Sequence, residues 1–213
     1  VTGSPAFQSW PLAYWPDVSL KWTAHALASG APIAEYFALR PARGAPVGKP
    51  LADEQPDSIV IDTGLLRCVI ARQGERLIDS VQRQGQALLR NGHLLLQVQG
   101  DPDQPDAALR HYRSQVQRVV LEQNGPLRTV VALHGNHQLQ GGEGSLLPFV
   151  VRVYAYANSD SLRILHTLVF DGDAQHDLIK GVGLRFDTPQ QAPLHDRHVR
   201  FVGANGGVFS EAV

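Results

Sequence analysis

From Ile59 to Val202 the apolar positions recur mostly at every second residue, the period of a strand with one buried face. Ile59, Ile61 and Gly64 to Ile70 predict a strand, Gln73-Gly74-Glu75 a turn, and Leu77 to Gln82 its partner. Leu94 to Gln99, Val116 to Gln123 and Leu127 to His134 follow. In Pro148 to Ala157, Phe149, Val151, Val153 and Ala155 alternate with Val150, Arg152, Tyr154 and Tyr156. Asn158-Ser159-Asp160 turns that strand into Leu162 to Phe170, and Ile179 to Asp187 and His198 to Val202 complete the set. Short strands at this spacing, rich in Val, Leu, Ile and Tyr, predict an all-β fold, an antiparallel β-sandwich. A helical reading competes at Thr23 to Ala28, which is too short to stand alone, and at Asp106 to Ser114. No β-α-β alternation and no Gly-rich phosphate loop is present, which argues against a nucleotide-binding fold.

Three stretches punctuate this pattern. Pro41 to Asp57 is rich in Pro, Gly and Ala and predicts a linker or long loop between two units. Gly100 to Asp106 predicts a polar turn, and Gln140 to Ser145 has the glycine density of a hairpin loop.

Composition narrows the class. The chain has 213 residues, enough for a sizeable core, with 43% hydrophobic and 18% charged residues, a globular balance. A formal net charge of -1 argues against nucleic acid as a partner. No apolar run approaches the roughly 20 residues of a membrane helix, so no membrane partner is expected. Cys68 is the only cysteine, which rules out an internal disulfide and any zinc site needing two thiolates from this chain. Its apolar neighbours predict a small core residue. The chain starts at Val1, contains no methionine, and reaches Val213 in mid-strand. Those features predict a piece of a larger protein.

The run Ala13-Tyr14-Trp15-Pro16-Asp17-Val18-Ser19-Leu20-Lys21-Trp22-Thr23-Ala24-His25-Ala26 resembles the end of the N-terminal barrel in exo-rhamnogalacturonan lyase and its YetA-like bacterial relatives. The family pattern has glycine where Val18 stands; glycine would supply a positive φ in a Pro-Asp-Gly turn, so Val18 is expected either to force a different turn or to mark divergence at the tip. Leu162 to Asp173, Lys180 to Asp187, Arg197 to Phe201 and Gly207 to Ala212 resemble successive parts of that family's central sandwich. The resemblance implies residues 1–50 as the C-terminal part of a small β-barrel and residues 57–213 as the central β-sandwich. It further implies a secreted (extracellular or periplasmic) carbohydrate-active protein, a polysaccharide or oligosaccharide partner, and a C-terminal helical toroid outside this chain. The catalytic residues are left unassigned, because the family's positions could lie in that toroid.

A polysaccharide lyase takes the proton α to a uronate carboxyl and expels the sugar at C4. It needs a base and a cation that steadies the developing charge. His195-Asp196-Arg197-His198 combines those residue types just before a strand, so His195 and Arg197 are candidate substrate-binding residues, against a plain solvated loop. His111-Tyr112-Arg113 offers the same types, with His111 and Arg113 on one face. Trp15, beside Pro16 at a turn, is a candidate sugar-stacking platform, whereas Trp22 is expected to be buried. His134 and His137 point to opposite faces of a strand and so do not readily share a metal. His166 predicts a hydrogen-bonded core histidine, and Asp171-Gly172-Asp173 a turn with carboxylates bonding the backbone. No cofactor or resident metal is expected. Three readings remain: part of a rhamnogalacturonan-lyase-like enzyme, a non-catalytic carbohydrate-binding or scaffolding sandwich, and accessory domains of a glycoside hydrolase with two carboxyl groups across the scissile bond.

Overall fold

The computed structural model describes residues 7–27, 48–101, 103–104, 108–202 and 206–212. Two strands form a separate hairpin: β1 (Phe7–Tyr14) and β2 (Leu20–Leu27). Nine more follow as an antiparallel meander: β3 (Ala52–Glu54), β4 (Ser58–Asp62), β5 (Leu66–Ala71), β6 (Ile78–Arg83), β7 (Gln86–Gln99), β8 (Arg110–Asn124), β9 (Arg128–Leu139), β10 (Ser145–Tyr156) and β11 (Leu162–Leu168). Then β12 (Leu178–Asp187) returns to pair with β7, and a one-turn 3-10 helix (Leu194–Asp196) leads to the hairpin β13 (His198–Val202) and β14 (Val208–Ala212).

The ten strands β3 to β12 form one continuous hydrogen-bonded sheet. It folds over on itself. β4 and β10 stand six strands apart in the pairing order, about 29 Å in a flat sheet. Yet Ile59 and Ile61 of β4 share one buried cluster with Val151, Val153 and Ala155 of β10. The fold line is β7. β12 runs along one of its edges; on the other, β6 takes Gln86 to Gly92 and β8 takes Leu95 to Val98. Because β6 and β8 share that edge end to end, the sheet must part there into two layers. Period-two patterning supplies the core between the layers: Cys68, Ile70, Val81, Leu94, Val116, Val131, Leu133 and Phe149 all point inward. The far ends are tied as well. Thr63 Oγ1 donates to the Ser159 carbonyl at 2.6 Å, and the Asn158 amide donates to the Thr63 carbonyl at 2.7 Å.

Among the described residues, Gln8 supplies the hydrogen bonds that hold the hairpin to this sandwich. Gln8 is buried; its Nε2 donates to the Arg128 carbonyl, and its Oε1 accepts from the Leu127 and Arg128 amides. Gly125 leaves the space: a Cβ there would collide with the Gln8 amide.

Several expectations change. Thr23 to Leu27 lies in β2 and Arg110 to Ser114 in β8, so strands replace both helical readings there; Ala108 and Leu109 are irregular, and Ala28, Asp106 and Ala107 lie outside the described residues. Cross-strand partners settle each case, since neither segment is long enough to hold a helix unaided. Gly64, at φ 91, turns the chain, so Ile59 to Ile70 makes two strands rather than one. Within the expected linker, Ala52–Glu54 pairs with β4, and residues 41–47 lie outside the described residues. Trp22 is 61% exposed, not buried.

At the β1–β2 turn, Val18 adopts φ 67, the left-handed conformation that glycine would take freely. The turn keeps the shape of Pro-Asp-Gly without the glycine. The Val18 amide donates to the Trp15 carbonyl, and Asp17 Oδ1 accepts from the Ser19 amide and hydroxyl.

Candidate functional site

The sandwich turns one broad face outward across β8, β9, β10 and β11. Register fixes its membership, because cross-strand partners share a side. One row is Arg118, His134, Val150 and Thr167; the next holds Val120, Ala132, Arg152 and Leu165; a third holds Val130, Tyr154 and Arg163. Arg128 and Tyr156 pair at the end nearest the hairpin.

That end is aromatic. The Arg128 guanidinium lies 4.3 Å from the Trp10 ring centroid, 5.2 Å from Tyr154 and 6.0 Å from Tyr156. Arg163 approaches Tyr154 at 5.7 Å. Three rings thus gather about two guanidiniums, each cation lying toward the electron-rich face of a ring. The Arg128 Nε is buried without a hydrogen-bond partner.

The other end is mixed. His134, Asn136, Gln117 and Thr167 line a shallow hollow of about 260 Å³ together with the apolar Pro148, Phe149, Val150 and Val169. His134 titrates below the ordinary imidazole value, because of its partial burial first and then Arg118 and Arg152, with Glu122 opposing. Arg152 forks onto Glu122, whose carboxylate raises its already high pKa. Along the outward positions of β8 to β11, Glu122 is the sole acid beside Arg113, Arg118, Arg128, Arg152 and Arg163. Such a face can stack sugar rings at one end and bind carboxylates along its length.

Of the residues picked out from the sequence, His111 and Arg113 do lie on this face, at its β8 end. Arg113 is engaged there by Glu75 at 3.2 Å. His195 and Arg197 lie on the β12–β13 connection: His195 is exposed in the 3-10 turn, and Arg197 Nε donates to the Ala192 carbonyl at 2.8 Å. Trp15 is half exposed at the hairpin tip, with Lys21 Nζ 4.1 Å from its ring centroid. No described hydrogen bond or ion pair joins these three to the sheet face. Arg118, Arg128, Arg152, Tyr154 and Arg163 were not singled out. The signal was the alternation of Arg152, Tyr154 and Tyr156 with the core positions of β10.

The remaining candidates resolve into structure. His134 faces outward and His137 inward, so the His-x-x-His pair is split by the strand, as its spacing requires. His137 donates from Nδ1 to the Leu147 carbonyl at 2.7 Å, which leaves its buried Nε2 with a lone pair and no partner. Leu147 is an extra residue in β10, held at φ 50, and its amide donates to Asp171. The His166 ring packs 5.9 Å from that of His137, and its buried Nε2 also forms no hydrogen bond, contrary to expectation. Asp173 caps the Gln175 amide, while Asp177 accepts from the Asp173 amide and from Arg110 at 2.6 Å. Asp173 therefore serves the turn, whereas Asp171 holds the extra residue of β10. A wider depression of about 490 Å³ opens where the linker end meets the β4–β5, β8–β9 and β10–β11 turns, but Lys49, Arg67, Asp53 and Asp62 give it no net sign.

Comparison with known proteins follows the same two units. A family model described as "PcRGLX-like N-terminal RIFT barrel domain" matches residues 2–42. Another, "PcRGLX-like protein central beta sandwich domain", matches residues 51–213. The chain is 33% identical over 203 residues to a protein of Bacillus subtilis (strain 168) named "Uncharacterized protein YetA". That alignment takes in 93% of this chain but 24% of the relative, so the chain spans about a quarter of the relative's length. With both domain types matched in order and an all-β architecture to carry them, the chain belongs to the PcRGLX-like family, related to rhamnogalacturonan lyase.

Proposed function

We propose that this chain supplies the barrel end and central sandwich of a polysaccharide-degrading protein that cleaves a uronate-containing pectic polysaccharide by β-elimination. The observation that carries the reading is the outward face of β8 to β11, where guanidiniums and aromatic rings stand in rows against a single acid. Neutral sugar rings stack on aromatic faces, and a uronate adds a carboxylate that a guanidinium pairs with. An alternating polymer of neutral and acidic sugars presents both. The described residues fit substrate holding. Proton abstraction from C5 and departure of the C4 oxygen fall to a base and a carboxylate-neutralising cation, for which a helical toroid of the same protein is the proposed partner. Export to the periplasm or the cell exterior belongs to the same reading, because the polymer is too large to enter a cell intact.

The test uses the full-length protein with rhamnogalacturonan. A rise in absorbance from an unsaturated uronate is the expected result. Release of reducing ends without that chromophore would mean a hydrolase instead. One observation favours a second reading, a non-catalytic carbohydrate-binding sandwich: the face is open, and its hollow of about 260 Å³ is too shallow to exclude water from a reacting bond. Binding of rhamnogalacturonan without cleavage of any kind would decide for that alternative.

A further inference from the structure

Arg152 already grips a carboxylate. Its Nε lies 2.9 and 3.1 Å from the two Glu122 oxygens, and its Nη2 lies 2.9 Å from one of them. A planar fork closes here on a planar carboxylate, the geometry in which arginine reads an acid group. The side chains are 32% and 31% exposed, so solutes reach both. Glu122 stands on β8 and Arg152 on β10, and Ala132 of the strand between them is fully buried. One row away, Arg118 and His134 are cross-strand partners, and His134 lines the hollow with Asn136, Gln117 and Thr167. Partial burial and the two flanking guanidiniums keep His134 uncharged near neutrality, so it offers one donor and one acceptor.

We propose that Arg118, His134 and Arg152 form a subsite for a sugar carboxylate, and that Glu122 is an internal carboxylate filling it until a uronate takes its place. The proposal rests on the polysaccharide reading above and names the charged subsite of that face. The exchange is balanced in charge and hydrogen bonds. Glu122 moves from Arg152 into water, the incoming carboxylate accepts the hydrogen bonds that Glu122 gave up, and a ring hydroxyl pairs with His134. An ion pair this exposed is held weakly enough to open. A purely structural pair, clamping β8 to β10 over Ala132, would have no such exchange.

The test compares the full-length protein with its Glu122→Gln, Arg152→Gln and Arg118→Gln variants. The ligand is a galacturonate-containing oligosaccharide cut from rhamnogalacturonan, measured by titration calorimetry beside the same oligosaccharide with its carboxyl groups reduced to alcohols. Removing the internal competitor should tighten binding of the acidic oligosaccharide by about threefold to fivefold in Glu122→Gln. The reduced oligosaccharide should show no such gain. Arg152→Gln and Arg118→Gln should each weaken the acidic one by about tenfold or more. Unchanged or weaker binding in Glu122→Gln, equal affinity for both oligosaccharides, or no binding by the parent protein would each overturn the subsite. The absorbance assay on the same preparations separates the two claims. Lyase activity with no response to the three substitutions sinks the subsite alone, whereas charge-selective binding without β-elimination sinks the lyase reading and leaves the subsite standing.

Discussion

Replacing Val18 with glycine should stabilise the N-terminal hairpin. Val18 holds φ 67 at the β1–β2 turn, and a β-branched side chain in that region is strained by about 2 kcal/mol. Glycine removes the strain but adds freedom to the unfolded chain, at about 0.7 kcal/mol. Little else is lost: the valine is 77% exposed, so the burial forfeited is worth roughly 0.4 kcal/mol. The balance is a gain near 1 kcal/mol, or about 2–4 °C in the unfolding midpoint for a chain of this length. The assay is already built in. All three tryptophans, Trp10, Trp15 and Trp22, lie on or between β1 and β2, so their emission reports this unit while far-ultraviolet circular dichroism reports the whole. Val18→Gly should raise the tryptophan midpoint, and Val18→Ala, which keeps a Cβ in the same conformation, should raise it less. An unchanged or lowered midpoint in Val18→Gly, or an equal gain from alanine, would refute the strain argument.

Two further outcomes follow from buried groups. His137 and His166 both titrate below the ordinary imidazole value because burial penalises their charged form. The unfolded chain therefore binds more protons below about pH 6.5. Stability should hold above that pH and decline as pH falls toward 5, read as a falling urea midpoint; a flat midpoint over that window would contradict it. Burial pushes the Cys68 thiol up to about 12, so it should resist a disulfide reagent in the native protein and react once urea unfolds the chain. Prompt labelling of the folded protein would place Cys68 elsewhere than in the core.

The fold was legible where burial is one-sided. Phe149, Val151, Val153 and Ala155 alternate cleanly, and β10 forms around them. β12 and β13 lie at or within a residue of the expected Ile179 to Asp187 and His198 to Val202. Legibility failed where polar residues pair along an edge. The first half of β7, Gln86 to His93, and the start of β8, Arg110 to Gln115, carry many charged and amide side chains and owe their extension to the strands beside them. The candidate site was harder still. Arg118, His134, Arg152 and Arg163 are spread over 46 positions of the chain, and only the successive pairing of β8 with β9, β9 with β10 and β10 with β11 gathers them. Compact sequence motifs drew attention first, so Asp196 with its neighbours stood out although Arg197 spends its Nε on a nearby carbonyl. Val18 is a further case. The missing glycine suggests a different turn, yet the backbone keeps the positive φ and the valine bears it at φ 67.

The late return of β12 bears on how this chain is made. Each neighbour in the meander can zip to the one before it as it leaves the ribosome, but Gln99 meets its partner only when Leu178 has been synthesised. At about 5–20 residues per second that wait lasts several seconds or more, with an unpaired backbone margin bearing Leu94, Leu96 and Val98 open to other chains. A nascent chain halted before Leu178 would keep that margin unpaired, the kind of exposed edge that invites aggregation.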